Sequence, residues 1–235
     1  MKKLLSACVL ASLSMFGTLS AEEPQKLKVS ILGDSYSTYT DYMTPKENKV
    51  WYGTGGKHMH ENDVNSVEQT WWWQLIYGNG MQLERNNSWS GTTVCLTGYN
   101  GKDIGKMSFV ERSLDLGNPD VIVVFGGTND AWANSPIGTD YTARGDSALY
   151  SFRPAFACML ERMQQKYPNA KIFNITNTEL KAEVTDSMDE ICKAYGVPNV
   201  VLHYIDKQKG HPSQSGMRQI SEQAWQVIAP YLLAK

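Results

Sequence analysis

The sequence predicts an α/β fold: a parallel sheet with helices on both faces. Two observations predict it. Strand-like runs alternate with helix-like stretches along the chain. One of those runs, residues 121–125, is apolar at every position, as a strand covered on both sides should be. Turn-forming polar residues follow each of the first three strand runs, and such sheets bind ligands beyond the carboxyl ends of their strands.

Taken in order, the first strand spans residues 27–32 and stops at Gly33-Asp34-Ser35. A long connection, residues 36–69, shows no periodicity. Its aromatic content argues against disorder, and its length points to a functional loop. Residues 71–77 form a short apolar helix ended by Gly78. It opens with Trp71, Trp72 and Trp73, which one helix face cannot bury together, so at least one turns aside. Strands at 81–85 and 121–125 follow. Leu149, Phe152, Phe156, Met159, Leu160 and Met163 recur at helical spacing within a helix at 147–166, which ends before Pro168. A strand at 171–175, a helix at 179–195 ended by Gly196 and Pro198, a strand at 200–203 containing His203, and a helix at 216–233 complete the chain.

With 235 residues, 42% of them hydrophobic, the chain can bury one sizeable core, and a second full domain is not expected. Residues 1–21 stand apart. Lys2-Lys3, an apolar run and the small pair Ser20-Ala21 form the pattern of a secretory signal peptide, leaving a single domain at 22–235. The apolar run is short and broken by Ser and Thr, so stable membrane insertion is not expected. Without the leader, 20 basic residues face 24 acidic ones, a formal charge of −4 that does not attract nucleic acid. Localisation is therefore expected to be periplasmic or extracellular. Cys95, Cys158 and Cys192 remain, so at most one internal disulfide can form.

The chemistry is concentrated after the strands. Ser35 stands where a strand stops and the chain turns, the placement a nucleophilic hydroxyl needs. His211, in a Gly-His-Pro turn before the last helix, is its natural base. Asn129 offers a side-chain amide, and Ser35 and Gly91 offer backbone N–H groups, to a developing oxyanion. Tyr36, Trp51, Trp89 and Trp132 lie along the same edge as candidate substrate-facing rings. His58-Met59-His60-Glu61 with Asp63 fits no strong zinc pattern. It is read as a solvated or substrate-facing loop, with no metal and no cofactor expected.

Gly33-Asp34-Ser35, Ser90-Gly91, Gly127-Thr128-Asn129-Asp130 and His211 together resemble the four blocks of the SGNH/GDSL hydrolase family, in the family's order and across nearly the whole mature chain. The resemblance implies a flavodoxin-like three-layer α/β/α sandwich with a five-stranded, mainly parallel sheet. It also implies Ser35 as nucleophile, His211 as base, and Ser35, Gly91 and Asn129 as the oxyanion hole. One position departs from it. The family's acid stands three residues before the histidine, where this chain has Gln208. Asp206 is the expected substitute, with a main-chain carbonyl as the other candidate. The expected activity is a secreted serine esterase that removes a small acyl group, such as acetyl, from a small-molecule or polysaccharide ester. A lipase, lysophospholipase or thioesterase is the first alternative, and a non-catalytic carbohydrate-binding module the second.

Overall fold

In the computed structural model, which describes residues 25–54 and 60–233, five strands form one all-parallel sheet. They are β1 Lys28–Gly33, β2 Gln82–Asn86, β3 Val121–Phe125, β4 Lys171–Thr176 and β5 Asn199–Val201, ordered β2-β1-β3-β4-β5. The export leader read at residues 1–21 and His58 lie outside the described residues.

Strand alternation divides the core into two layers. Val29 and Ile31 of β1 and Val121, Val123 and Phe125 of β3 point to one face. There they are covered by α1 (Trp71–Tyr77) and α6 (Gln214–Leu233). Leu32, Ile122 and Val124 point to the other face, under α2 (Phe109–Arg112), α4 (Phe152–Lys166) and α5 (Ala182–Ala194). Trp71 and Trp72 are fully buried in the first layer, while Trp73 turns aside and is half-buried.

Strand order reverses direction between β1 and β3, so the loops after these two strands diverge and leave a crevice at the sheet's carboxyl edge. Ser35 follows β1 there. Asn129 follows β3 in a short helix, α3 (Thr128–Ala133), that the sequence reading did not contain.

Other differences have local causes. Strand β5 ends at Val201, so His203 lies outside it and is exposed. Helix α5 starts at Ala182 because Glu179 has a φ of 60°, incompatible with a right-handed helix. A small hairpin, β6 (Lys207–Gln208) with β7 (His211–Pro212), precedes α6 and went unread because each strand is only two residues long. Cys95, Cys158 and Cys192 are free thiols.

Candidate active site

The support of Ser35, the candidate nucleophile, begins at the close of β1. The carbonyl of Gly33 accepts the N–H of Trp89 at 3.0 Å, which extends pairing toward the loop after β2. A Cβ at Gly33 would lie 2.4 Å from Ser37 Oγ and 2.6 Å from Ser88 Oγ, so only glycine allows this approach. Asp34 then caps a single 3₁₀ turn, Ser35–Ser37. Its Oδ1 accepts the N–H of Tyr36 at 3.0 Å, which points Ser35 out of the sheet edge.

His211 reaches Ser35 from the hairpin. Lys209 and Gly210, with φ of 51° and 76°, make a tight two-residue turn of the type that suits strand twist. Two phenols pin it. Tyr36 Oη donates to the Gly210 carbonyl at 2.6 Å, and Tyr52 Oη donates to the Pro212 carbonyl at 2.9 Å, on either side of the histidine. The result places His211 Nε2 at 2.9 Å from Ser35 Oγ.

The second imidazole nitrogen faces the chain itself. Nδ1 lies 3.3 Å from the Lys209 carbonyl oxygen, which can only accept, so this contact selects the tautomer with hydrogen on Nδ1. Asp206, expected at this position, stands elsewhere. Its carboxylate accepts the Ser213 hydroxyl, and its carbonyl accepts the Ser213 N–H at 3.1 Å, holding the entry to α6. Gln208 pairs with His211 across the hairpin, but its Oε1 accepts the N–H of Asp63 at 2.8 Å.

The four aromatic residues expected at substrate separate into two pairs. Tyr36 is fully buried and braces the hairpin, so it offers no face to a ligand. Trp51, 6% exposed, lies flat on His211, with ring centroids 3.8 Å apart and planes 6° from parallel. Its role is to hold the imidazole plane. Trp132 is 44% exposed with its ring 6.1 Å from His211, and the half-buried Trp89 lines a cavity of about 480 Å³ beside the loop after β2.

Asn129 sits at the start of α3, beside the Ser35 turn. Its Nδ2 donates to Asp34 Oδ2 at 3.3 Å, and its Oδ1 accepts the Tyr99 hydroxyl at 2.8 Å. Gly91 has φ of 82°, a conformation that costs glycine little, and is exposed on the loop between them. That loop is tied to α3 by Asp130, whose carboxylate accepts the N–H of Val94 at 2.8 Å and of Cys95 at 3.3 Å.

Beneath the site lie three buried charged groups. Burial pushes the Asp34 carboxyl up to about 7, against the pull of its hydrogen bond from Tyr36 and of the Arg112 charge. Burial raises Asp130 to about 6, opposed by its backbone donors. Arg112, 5% exposed, is lowered to about 9 by burial and sustained by Asp34. Its guanidinium donates to the carbonyls of Gly33 (3.2 Å), Met107 (2.8 Å) and Asn87, and to Thr92 Oγ1 (2.9 Å). Neither Arg112 nor Tyr99 carries a signal in the sequence, since a lone Arg or Tyr outside any motif reads as surface.

Among the described residues, no group of three or more His, Cys, Asp or Glu is arranged to hold a metal ion. No helix among them is long and apolar enough to cross a membrane.

A serine turn after β1, an amide after β3 and a histidine before the last helix are assembled here from separate parts of the chain. The family model of the GDSL-like lipase/acylhydrolases matches residues 27–228. The chain belongs to that family. It is a GDSL-like, ester-hydrolysing serine hydrolase. A protein of Bacteroides uniformis named as a GDSL-like lipase is 55% identical to this hydrolase, with TM-score 0.85 over 87% of this chain and 96% of its own. One of Bacteroides ovatus is 45% identical, with TM-score 0.84 over 87% and 99%. The fold is also that of a family two carbohydrate esterase from Clostridium thermocellum solved with cellohexaose. That protein is 19% identical, with TM-score 0.54 over 91% of this GDSL-like chain and 67% of its own. No curated protein matches it.

Proposed function

We propose that this hydrolase removes a small acyl group, acetyl above all, from a carbohydrate ester through an acyl-enzyme on Ser35. The observation that carries the reading is the 2.9 Å contact between Ser35 Oγ and His211 Nε2. With hydrogen on Nδ1 directed at the Lys209 carbonyl, the Nε2 lone pair faces Ser35 and takes the hydroxyl proton as Oγ attacks the ester carbonyl. The N–H groups of Ser35 and Gly91 and the Asn129 amide receive the oxyanion. His211 returns the proton to the departing alcohol, and water, deprotonated in turn by His211, releases the acid. The imidazolium formed in each half-reaction is held by a carbonyl and by the Trp51 face, where the Asp206 carboxylate was expected.

Two features favour a sugar alcohol. Trp132 and Tyr99, 44% and 40% exposed, present rings at the mouth of the site, and flat rings pack well on the C–H faces of sugars. The fold is shared with a carbohydrate esterase that was solved with cellohexaose. Groups about Ser35 are polar or aromatic rather than aliphatic, which favours a short acyl chain over a lipid. The leader pattern at residues 1–21 supports export, so a polysaccharide outside the cytoplasm is the expected partner.

The test is hydrolysis of 4-nitrophenyl esters from acetyl to octanoyl, followed by acetylated oligosaccharides. Ser35→Ala should abolish turnover while leaving the fold intact. Unchanged turnover would overturn the mechanism, and a rate climbing with chain length would overturn the acetyl assignment.

A further inference from the structure

An oxyanion hole that uses a side-chain amide has a weakness that backbone N–H groups lack. The terminal torsion of asparagine is soft and nearly two-fold, so the carboxamide can present oxygen as readily as nitrogen unless both ends are held. Oxygen turned toward a developing oxyanion would repel it.

At Asn129 both ends are held. Nδ2 gives one hydrogen to Asp34 Oδ2 at 3.3 Å, which leaves its second hydrogen for a ligand. Oδ1 accepts from Tyr99 Oη at 2.8 Å. The Asp34 end is long and belongs to a carboxyl that burial lifts to about 7, so near neutral pH it is not a constant acceptor. The Tyr99 end is shorter and comes from a phenol that stays protonated, being itself raised to about 12.

The loop that carries Tyr99 is built to keep it there. Thr97 bridges Asp103, the Gly98 N–H donates to the Lys102 carbonyl at 2.8 Å, and the Ile104 N–H donates to the Leu96 carbonyl at 2.9 Å, closing a small ring of chain around Tyr99. Ser135 Oγ donates to the Thr97 carbonyl at 2.8 Å, tying this ring to the far end of the helix whose first turn bears Asn129. Tyr99 and Asn129 therefore stand on segments tied to each other.

We propose that Tyr99 is a positioning residue for the reaction: its hydroxyl fixes the Asn129 carboxamide with nitrogen toward the oxyanion. The inference rests on the reading of Asn129 as an oxyanion donor and adds the device that orients it. The Tyr99 hydroxyl acts through Asn129, so its effect belongs to the transition state and not to substrate binding.

The experiment is a double-mutant cycle with Tyr99→Phe and Asn129→Ala, read by kcat and KM on 4-nitrophenyl acetate. Tyr99→Phe should lower kcat by about tenfold, the worth of one neutral hydrogen bond, and leave KM in place. Asn129→Ala should lower kcat by about 10²- to 10³-fold. In the Asn129→Ala background, Tyr99→Phe should cost nothing further, since there is no amide left to orient. An unchanged kcat in Tyr99→Phe would overturn the proposal. So would a raised KM at constant kcat, which would make the Tyr99 hydroxyl itself a substrate contact, or losses that multiply in the double variant. An unchanged kcat in Asn129→Ala would instead overturn the oxyanion reading beneath it.

Discussion

Replacing Asp34 by Asn should flatten the pH dependence of this protein's stability between pH 4 and 7. The Asp34 side chain is buried at the root of the Ser35 turn, and burial lifts its carboxyl from 3.8 to about 7. In the unfolded chain it titrates near the ordinary aspartate value of about 3.9. Between those two values the folded protein keeps a proton that the unfolded chain has released. Stability then falls as pH rises, by about 1.4 kcal/mol per pH unit for one such group. Across the whole window the loss from Asp34 is about 4 kcal/mol, fully absent below pH 4 and complete above pH 7. Asp130, raised to about 6, adds a loss of the same sign between pH 4 and 6.

Asn cannot ionise, so Asp34→Asn removes the first contribution and leaves the second. Its Oδ1 still accepts the Tyr36 N–H, but its amide nitrogen faces the Asn129 amide where a carboxylate oxygen stood. That conflict is a constant offset, independent of pH. The quantity to measure is therefore the change in unfolding free energy from pH 4 to pH 7, by urea titration of both proteins. Wild type should lose about 4 kcal/mol more than the variant. Curves that run parallel across the window would show that Asp34 titrates at an ordinary value when folded, and would refute the reasoning.

Gly33→Ala should abolish ester hydrolysis and lower the melting temperature, because its Cβ would collide with Ser37 and Ser88 and displace the nucleophile's turn. Calorimetry together with a 4-nitrophenyl acetate assay checks both effects. Arg112→Met should destabilise the fold by roughly 2–4 kcal/mol in urea, because the Asn87 and Met107 carbonyls lose a buried donor, whereas Gly33 keeps the Trp89 N–H.

The sheet and its covering helices were legible because their signals are repetitive: an apolar run at 121–125, and helical spacing through 149–163. That Ser35, Asn129 and the loop at 88–91 lie toward one edge follows from strand polarity once the sheet is taken as parallel, whereas His211 reaches Ser35 from a hairpin outside that sheet. Other features depend on long-range geometry that no local pattern carries. Tyr36 is next to the nucleophile in sequence and looks like a substrate platform, yet its ring turns inward and its hydroxyl reaches 174 residues along the chain to Gly210. Asp206 was the nearest acid to His211 in the right direction. A two-residue hairpin turns the histidine back on its own Lys209 carbonyl and leaves Asp206 to Ser213. Arg112 went unread because its value lies in three segments that only folding brings together.

Arg112 also explains how so much charge can lie beneath the site. A lone buried carboxylate would stay protonated well above neutral pH, and a lone buried guanidinium would be costly. Here the guanidinium directs its hydrogen bonds to main-chain carbonyls and one hydroxyl, and it acts on Asp34 through its field rather than through a direct ion pair. Its hydrogen bonds hold the end of β1, the loop after β2 and the entry to α2 in one arrangement. Its field keeps Asp34 able to ionise near neutral pH, and ionised Asp34 accepts the Asn129 amide. Replacing this group by an apolar side chain would thus release the loops and weaken the Asp34 end of the Asn129 clamp together. A neutral core of equal volume could satisfy packing, but it would leave the amide's orientation to Tyr99 alone.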